Sequence, residues 1–194
     1  MSNPEAEAQD RADMQRFQSG QETALNDLMS RHATVLFHFL WRLTGSEDDA
    51  NDLAQETFVR VFKARDSFCA GHKFSTWLYA IAANLARNHH RWRQRHPNVS
   101  LEAESTETEQ SLGSTLPAAG PNPTESAQTH ERAQAVRGAV NQLPDELREA
   151  IVLCEWEECS VAEAATILAT TPKAVESRRY RARQVLRERL KGWL

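Results

Sequence analysis

The chain of 194 residues has a formal net charge of −4, 40% hydrophobic residues and 7 glycines, an ordinary composition for one or two small globular domains. No run of about eighteen apolar residues occurs, and the opening MSNPEAEAQD is polar and acidic, so neither membrane insertion nor a secretion signal is expected and the protein is expected to be cytoplasmic. Cys69, Cys154 and Cys159 are an odd number of thiols, which argues against a disulfide framework; two of them alone make no zinc site, and no metal or cofactor is expected.

Few glycines and many Ala, Leu, Arg, Glu and Gln residues favour helix, and the chain reads as all-α. After a frayed start, residues 12–18 form a short helix ended by Ser19-Gly20. Leu25, Leu28, Met29, Leu36, Phe39, Leu40 and Leu43 mark a second helix over residues 22–44, closed by Gly45. Ser46 with Glu47, Asp48 and Asp49 opens a third, its acids at the positive end of the dipole. That helix runs to about Ala64, with Ala50, Leu53, Ala54, Phe58, Val61 and Phe62 on its packed stripe and Asn51, Asp52, Gln55 and Glu56 on the other face.

Residues 66–73 read as a loop and residues 74–93 as a fourth long helix. Rings at Phe68, Phe74, Trp77, Tyr79 and Trp92 are interleaved with Lys73, Arg87, Arg91, Arg93 and Arg95, and no acid occurs over residues 72–96. Rings stack on unpaired bases at about 1–3 kcal/mol each while cations follow phosphates, so this composition suits opened, single-stranded DNA. Trp77 reads equally well as a core residue of an amphipathic helix. Four helices close a first domain over residues 1–96. Residues 97–126 hold four prolines, no aromatic and no basic side chain; such a segment has too little apolar area to offset ordering and is expected to be a flexible linker.

A second domain of four helices is expected over residues 127–194, with helices over 131–142 and from Pro144 to about Glu157, then a helix-turn-helix. Ser160 stands three residues before Glu163, the spacing of a capping box. Ala169-Thr170-Thr171 interrupts the pattern, and Pro172 fits the first position of a new helix with Thr171 as N-cap. On that helix, advancing ~100° per residue, Val175, Ala182 and Leu186 share a packed stripe while Lys173, Ser177, Tyr180, Arg181 and Gln184 face away. Eight basic against two acidic side chains over residues 173–191 make a polyanion the natural partner. A solvated basic helix in an ordinary bundle is the plainer reading.

The segments DDANDLAQETFVRVFKARDSF, KFSTWLYAIAANLARNHHRW, LPDELREAIVL and VESRRYRARQVL, in that order, resemble the bacterial sigma factors, in particular the extracytoplasmic-function (ECF) branch. The resemblance implies two helical domains on a flexible linker, with core RNA polymerase and promoter DNA as partners and an anti-sigma factor as a further one. It implies that the helix bearing DLAQE docks on the clamp coiled coil of the largest polymerase subunit through Asp52, Gln55 and Glu56. It assigns Phe68, Lys73, Phe74, Trp77, Asn84, Asn88 and Arg91 to the minus-ten element, and Lys173, Ser177, Tyr180, Arg181 and Gln184 to the minus-thirty-five element. Two positions depart from the family pattern: Arg179, where Leu or Ile is usual, and Glu176, where a cation is frequent. The alternative is a dimeric helix-turn-helix transcriptional regulator with an N-terminal effector domain, which leaves the acidic face of the third helix unexplained. No glycine-rich phosphate loop, HExxH or converging His-Asp-Ser pattern occurs, so no catalytic residue and no enzyme activity are expected.

Overall fold

The computed structural model describes residues 4–96 and 123–193, with side chains of the second segment described from residue 131. Among these residues the fold is all-helical: α1 (Pro4–Gln18), α2 (Thr23–Thr44), α3 (Glu47–Lys63), a 3-10 turn (Arg65–Ser67), α4 (Phe74–Arg95), α5 (Pro123–Asn141), α6 (Asp145–Glu155), α7 (Val161–Ile167) and α8 (Pro172–Arg189). Residues 97–122 of the expected linker lie outside the described residues. Its last four residues belong instead to α5, whose start carries no apolar stripe to announce it.

The N-terminal half packs α1, α3 and α4 around α2, whose buried residues are Ala24, Leu28, Leu36, Phe39, Leu40 and Leu43. Gly45 ends α2 at φ +74, its N–H returning to Trp41 O at 2.8 Å, and Ser46 caps α3 by accepting from Asp49 N at 3.2 Å. α1 starts at Pro4, earlier than residue 12, because its packed face is half carboxylate: Asp10 and Asp13 are buried beside Met14 and Phe17. Arg31 of α2 donates Nε to Asp10 at 3.0 Å and Nη2 to Asp13, His32 Nε2 lies 2.8 Å from Asp10, and Arg16 also engages Asp13. Burial alone would raise the Asp13 pKa, but hydrogen bonds from Arg16 and Arg31 outweigh it and hold the carboxyl below its usual range.

In the C-terminal half α6 is buried through Leu147, Ala150, Ile151, Val152 and Leu153, and α8 closes over it with Val175 and Ala182. The buried apolar set is continuous across both halves, with α2 and α4 lying against α6 and α7. Arg148 sits at this junction. Its guanidinium donates to Leu43 O at 2.7 Å, Asn141 O at 2.6 Å and Leu143 O at 2.8 Å, so one side chain satisfies terminal carbonyls of both α2 and α5. Burial lowers its pKa, yet a guanidinium remains charged. Gly45 faces Asn141 closely enough that a Cβ there would lie 3.0 Å from Asn141 Nδ2.

Candidate nucleic-acid interface

The helix-turn-helix is set by two local caps. Ser160 Oγ accepts from Glu163 N at 3.2 Å and Glu163 Oε2 accepts from Ser160 N at 2.8 Å, completing the expected capping box. Thr171 Oγ1 accepts from Ala174 N at 3.2 Å, with Pro172 in the first turn of α8. Between them the chain reverses through Ala169, a non-glycine residue at φ +50, while Thr170 N donates to Ala165 O at 2.9 Å.

Packing fixes which side of α8 looks outward. Val175 and Ala182 are fully buried, Leu186 is half-buried, and Lys173, Ser177, Tyr180 and Arg181 are exposed with Gln184 at the edge. Tyr180, 65% exposed, is a large ring held in water with no core role. Three other arginines are occupied in holding α8 to α6: Arg178 to Glu146 at 3.0 Å, and Arg179 and Arg183 to Glu155 at 3.5 and 2.7 Å. Arg179, the departure from the family stripe, is therefore an ion-pair partner of α6 rather than an apolar knob. Among the described residues neither Lys173 nor Arg181 has an ion-pair partner.

The seven minus-ten candidates, Phe68 and Lys73 before α4 and the other five on it, divide. Asn84, Asn88 and Arg91 lie on one exposed face, where Arg87 donates to Asn84 Oδ1 and Arg91 to Asn88 Oδ1, the latter at 2.6 Å. Phe68 and Phe74, also assigned to this set, are 6% and 3% exposed here and turn their rings inward. They close the loop onto the body, in an aromatic cluster with Trp77 whose ring centroids lie 5.3 to 6.2 Å apart. Gln18 of α1 fixes the same loop by donating to Arg65 O at 2.8 Å and Phe68 O at 3.0 Å. Trp77 is half-buried and borders a cleft of about 330 Å³ between α3 and α4, also lined by Arg60, Lys63, Ile81 and Asn84. Arg60 and Lys63 carried no mark in the sequence; one turn apart on α3, they face α4 beside the interleaved segment. Lys73 points toward the other half, 2.7 Å from Glu7 and 2.9 Å from Glu163; hydrogen bonds to both carboxylates raise its pKa.

The remaining face of α3 projects Asp52, Gln55 and Glu56, with Glu56 paired to Arg60 at 2.9 Å. Val59 beside them is 43% exposed, an apolar addition to the polar patch that residue type alone did not mark. The three thiols are unbridged; burial pushes Cys159 up to about 12 and raises Cys154, so neither is a ready nucleophile. No described helix is long and apolar enough to cross a membrane.

The sequence matches two families in order: Sigma-70 region 2 over residues 28–96 and Sigma-70, region 4 over residues 133–186. The ECF RNA polymerase sigma factor SigW of Bacillus subtilis is 32% identical over 179 residues, spanning 92% of this chain and 95% of that protein. Two solved structures share the fold at 27% identity. CnrH, in complex with the cytosolic domain of CnrY, superposes with a TM-score of 0.68 over 95% of this chain and 98% of its own. The sigma factor RpoE in complex with the anti-sigma factor NepR, from Bartonella quintana, gives 0.65 over 86% and 96%. The region-2 and region-4 matches, in one chain that covers 95% of SigW at 32% identity, make this protein a bacterial RNA polymerase sigma factor of the ECF branch, a promoter-directing initiation factor without enzymatic activity of its own.

Proposed function

We propose that three separate surfaces of this sigma factor divide the work in the cytoplasm. Asp52, Gln55 and Glu56, with Val59 at their edge, bind core polymerase. Asn84, Asn88 and Arg91 meet the minus-ten duplex edge, while the cleft bordered by Trp77, Arg60 and Lys63 receives the opened strand, Lys73 joining it once released from Glu163. Lys173, Ser177, Tyr180, Arg181 and Gln184 read the minus-thirty-five element, with α8 in the major groove. The observation that carries this reading is the outward face of α8: polar and cationic side chains stand exposed along one side, while the neighbouring arginines are spent on α6. A dimeric repressor would account for that face but gives no role to the polar patch of α3.

An anti-sigma partner belongs to the same reading, since both solved relatives are complexes with one or with the cytosolic domain of another protein. A cleft of about 360 Å³ between α2 and α5, lined by Trp41, Val136, Val140 and Trp156 and rimmed by Arg42, Arg132 and Arg137, suits an acidic amphipathic segment of such a partner. Transcription in vitro by purified core polymerase on a randomised promoter library tests the whole assignment. Specific initiation that depends on the chain, with a two-block motif, supports it; chain-dependent repression without core binding refutes it.

A further inference from the structure

The cleft between α2 and α5 holds more positive charge than its surroundings balance. Arg42, Arg132 and Arg137 stand on its rim, and no acidic side chain lines it. Arg42 is neutralised from behind, donating Nη1 to Glu157 at 3.1 Å. Arg132 and Arg137 have no carboxylate partner among the described residues, so two uncompensated guanidiniums overlook an apolar wall made by Ala133, Val136 and Val140.

Two of the three cations are held in place before anything binds. Arg137 lies over the Trp41 ring at 4.2 Å and Arg42 over the Trp156 ring at 5.9 Å. A guanidinium stacked on an indole keeps its planar fork of donors available to an acid, and its prior immobilisation lowers the entropic cost of binding. Asn141, in the same wall, has a buried Oδ1 with no hydrogen-bond partner among the described residues, a polar gap of the kind that an ordered water or a ligand donor closes.

Size decides between occupants. A helix with its side chains is about 10–12 Å across, so a cleft of about 360 Å³ takes the side chains of a protein segment but not its backbone. At about 30 Å³ for a water-sized group, the same space holds roughly a dozen such groups, which is a body of about eight to ten carbons with one acidic head. Apolar cavities with a few placed polar groups take whole small molecules from about 300 Å³ upward.

We infer that this cleft is a binding site for a small amphipathic anion, an organic acid on an aliphatic body, with its head on Arg132 and Arg137 and its body against Val136 and Val140. The consequence rests on the proposed partner reading: the anion and the acidic segment of an anti-sigma partner need the same guanidiniums, so each excludes the other.

Calorimetric titration of the full chain with octanoate, below the concentration at which it forms micelles, tests this against octanol, which lacks the charge, and acetate, which lacks the body. Octanoate should saturate one site per chain and bind at least about 10-fold tighter than either. Arg132→Glu, at an exposed position, should weaken octanoate about 10-fold or more and leave octanol unchanged. Ala133→Trp, which puts an indole into the cleft from another exposed position, should abolish binding. Circular dichroism establishes that both variants fold, and Arg132→Glu decides alone if Ala133→Trp does not. No saturable binding of octanoate below about 1 mM, equal affinity for octanol, or octanoate binding unchanged in either folded variant overturns the site. A chain that binds octanoate as expected yet fails to direct transcription with core polymerase refutes the proposed function and leaves the site standing.

Discussion

Replacing Arg181 by alanine separates reading from holding on α8. Arg181 is exposed and has no ion-pair partner among the described residues, whereas Arg178 and Arg183 each bind a glutamate of the same half. Truncation at 181 therefore removes no internal ion pair, and thermal stability should stay within about 0.5 kcal/mol of wild type. If the Arg181 guanidinium bonds a base edge, its removal should weaken the upstream element by about 1–3 kcal/mol, or about 5- to 150-fold, at one base position. If it bonds a phosphate instead, removal should weaken every sequence alike and reduce the salt slope by about one. The assay is transcription from a library randomised across the upstream element, with polymerase held saturating so that core binding does not enter. Arg187→Ala, from an exposed position farther along the helix, is the comparator and should act evenly and in proportion to ionic strength. A selectivity profile for Arg181→Ala identical to wild type would refute the docking face and move attention to Arg178 and Arg179.

Asp52→Ala with Gln55→Ala should weaken core binding with a shift in melting of less than about 0.5 kcal/mol, as both side chains are exposed; equilibrium binding to labelled core, alongside a thermal melt, checks both halves of that statement. Ala169→Gly should stabilise the C-terminal half by about 0.5 kcal/mol, since the left-handed conformation at φ +50 costs alanine about 1–2 kcal/mol and the added freedom of glycine when unfolded returns part of it; an unchanged or lower melting temperature would contradict the strain. Asp13→Asn should destabilise the N-terminal half by about 1–3 kcal/mol at neutral pH by removing charge-assisted hydrogen bonds. Because the native pKa of Asp13 is lowered, its contribution is complete above the unfolded carboxylate pKa and disappears as pH falls through the native one. Denaturant melts of wild type and variant should therefore converge in acid, and a gap that stays constant to low pH would count against the Asp13 network.

Legibility of the fold tracked how local each cause was. The caps at Ser160 and Thr171 act within three residues, so both helices of the helix-turn-helix could be placed from side-chain spacing alone. α1 reads short in the sequence because its buried face is made by Asp10 and Asp13, whose burial depends on Arg31 and His32 in another helix and leaves no apolar period. The rings of the loop before α4 were recognisable as important, but residue type does not give direction: Phe68 and Phe74 turn inward on a loop fixed by Gln18, from another helix. The outward face of α8 followed from helical phase because one stripe was plainly apolar. The junction between the halves had no sequence signature at all, as the Arg42–Glu157 pair spans 115 positions.

The position of Arg148 bears on how sigma factors of this kind can be recombined. A chimera that joins the N-terminal half of this chain to another C-terminal half transfers the terminal carbonyl of α2 to a new neighbour, and an incoming half with a short or apolar residue at that place supplies no donor for Leu43 O. The same exchange in the opposite direction carries Arg148 along with the carbonyls it already satisfies at and just beyond the end of α5, Asn141 O and Leu143 O. Module swaps are therefore asymmetric: the C-terminal half travels with its own helix end intact, while the N-terminal half accepts foreign partners best when they present a guanidinium to the end of α2 and leave room opposite Gly45.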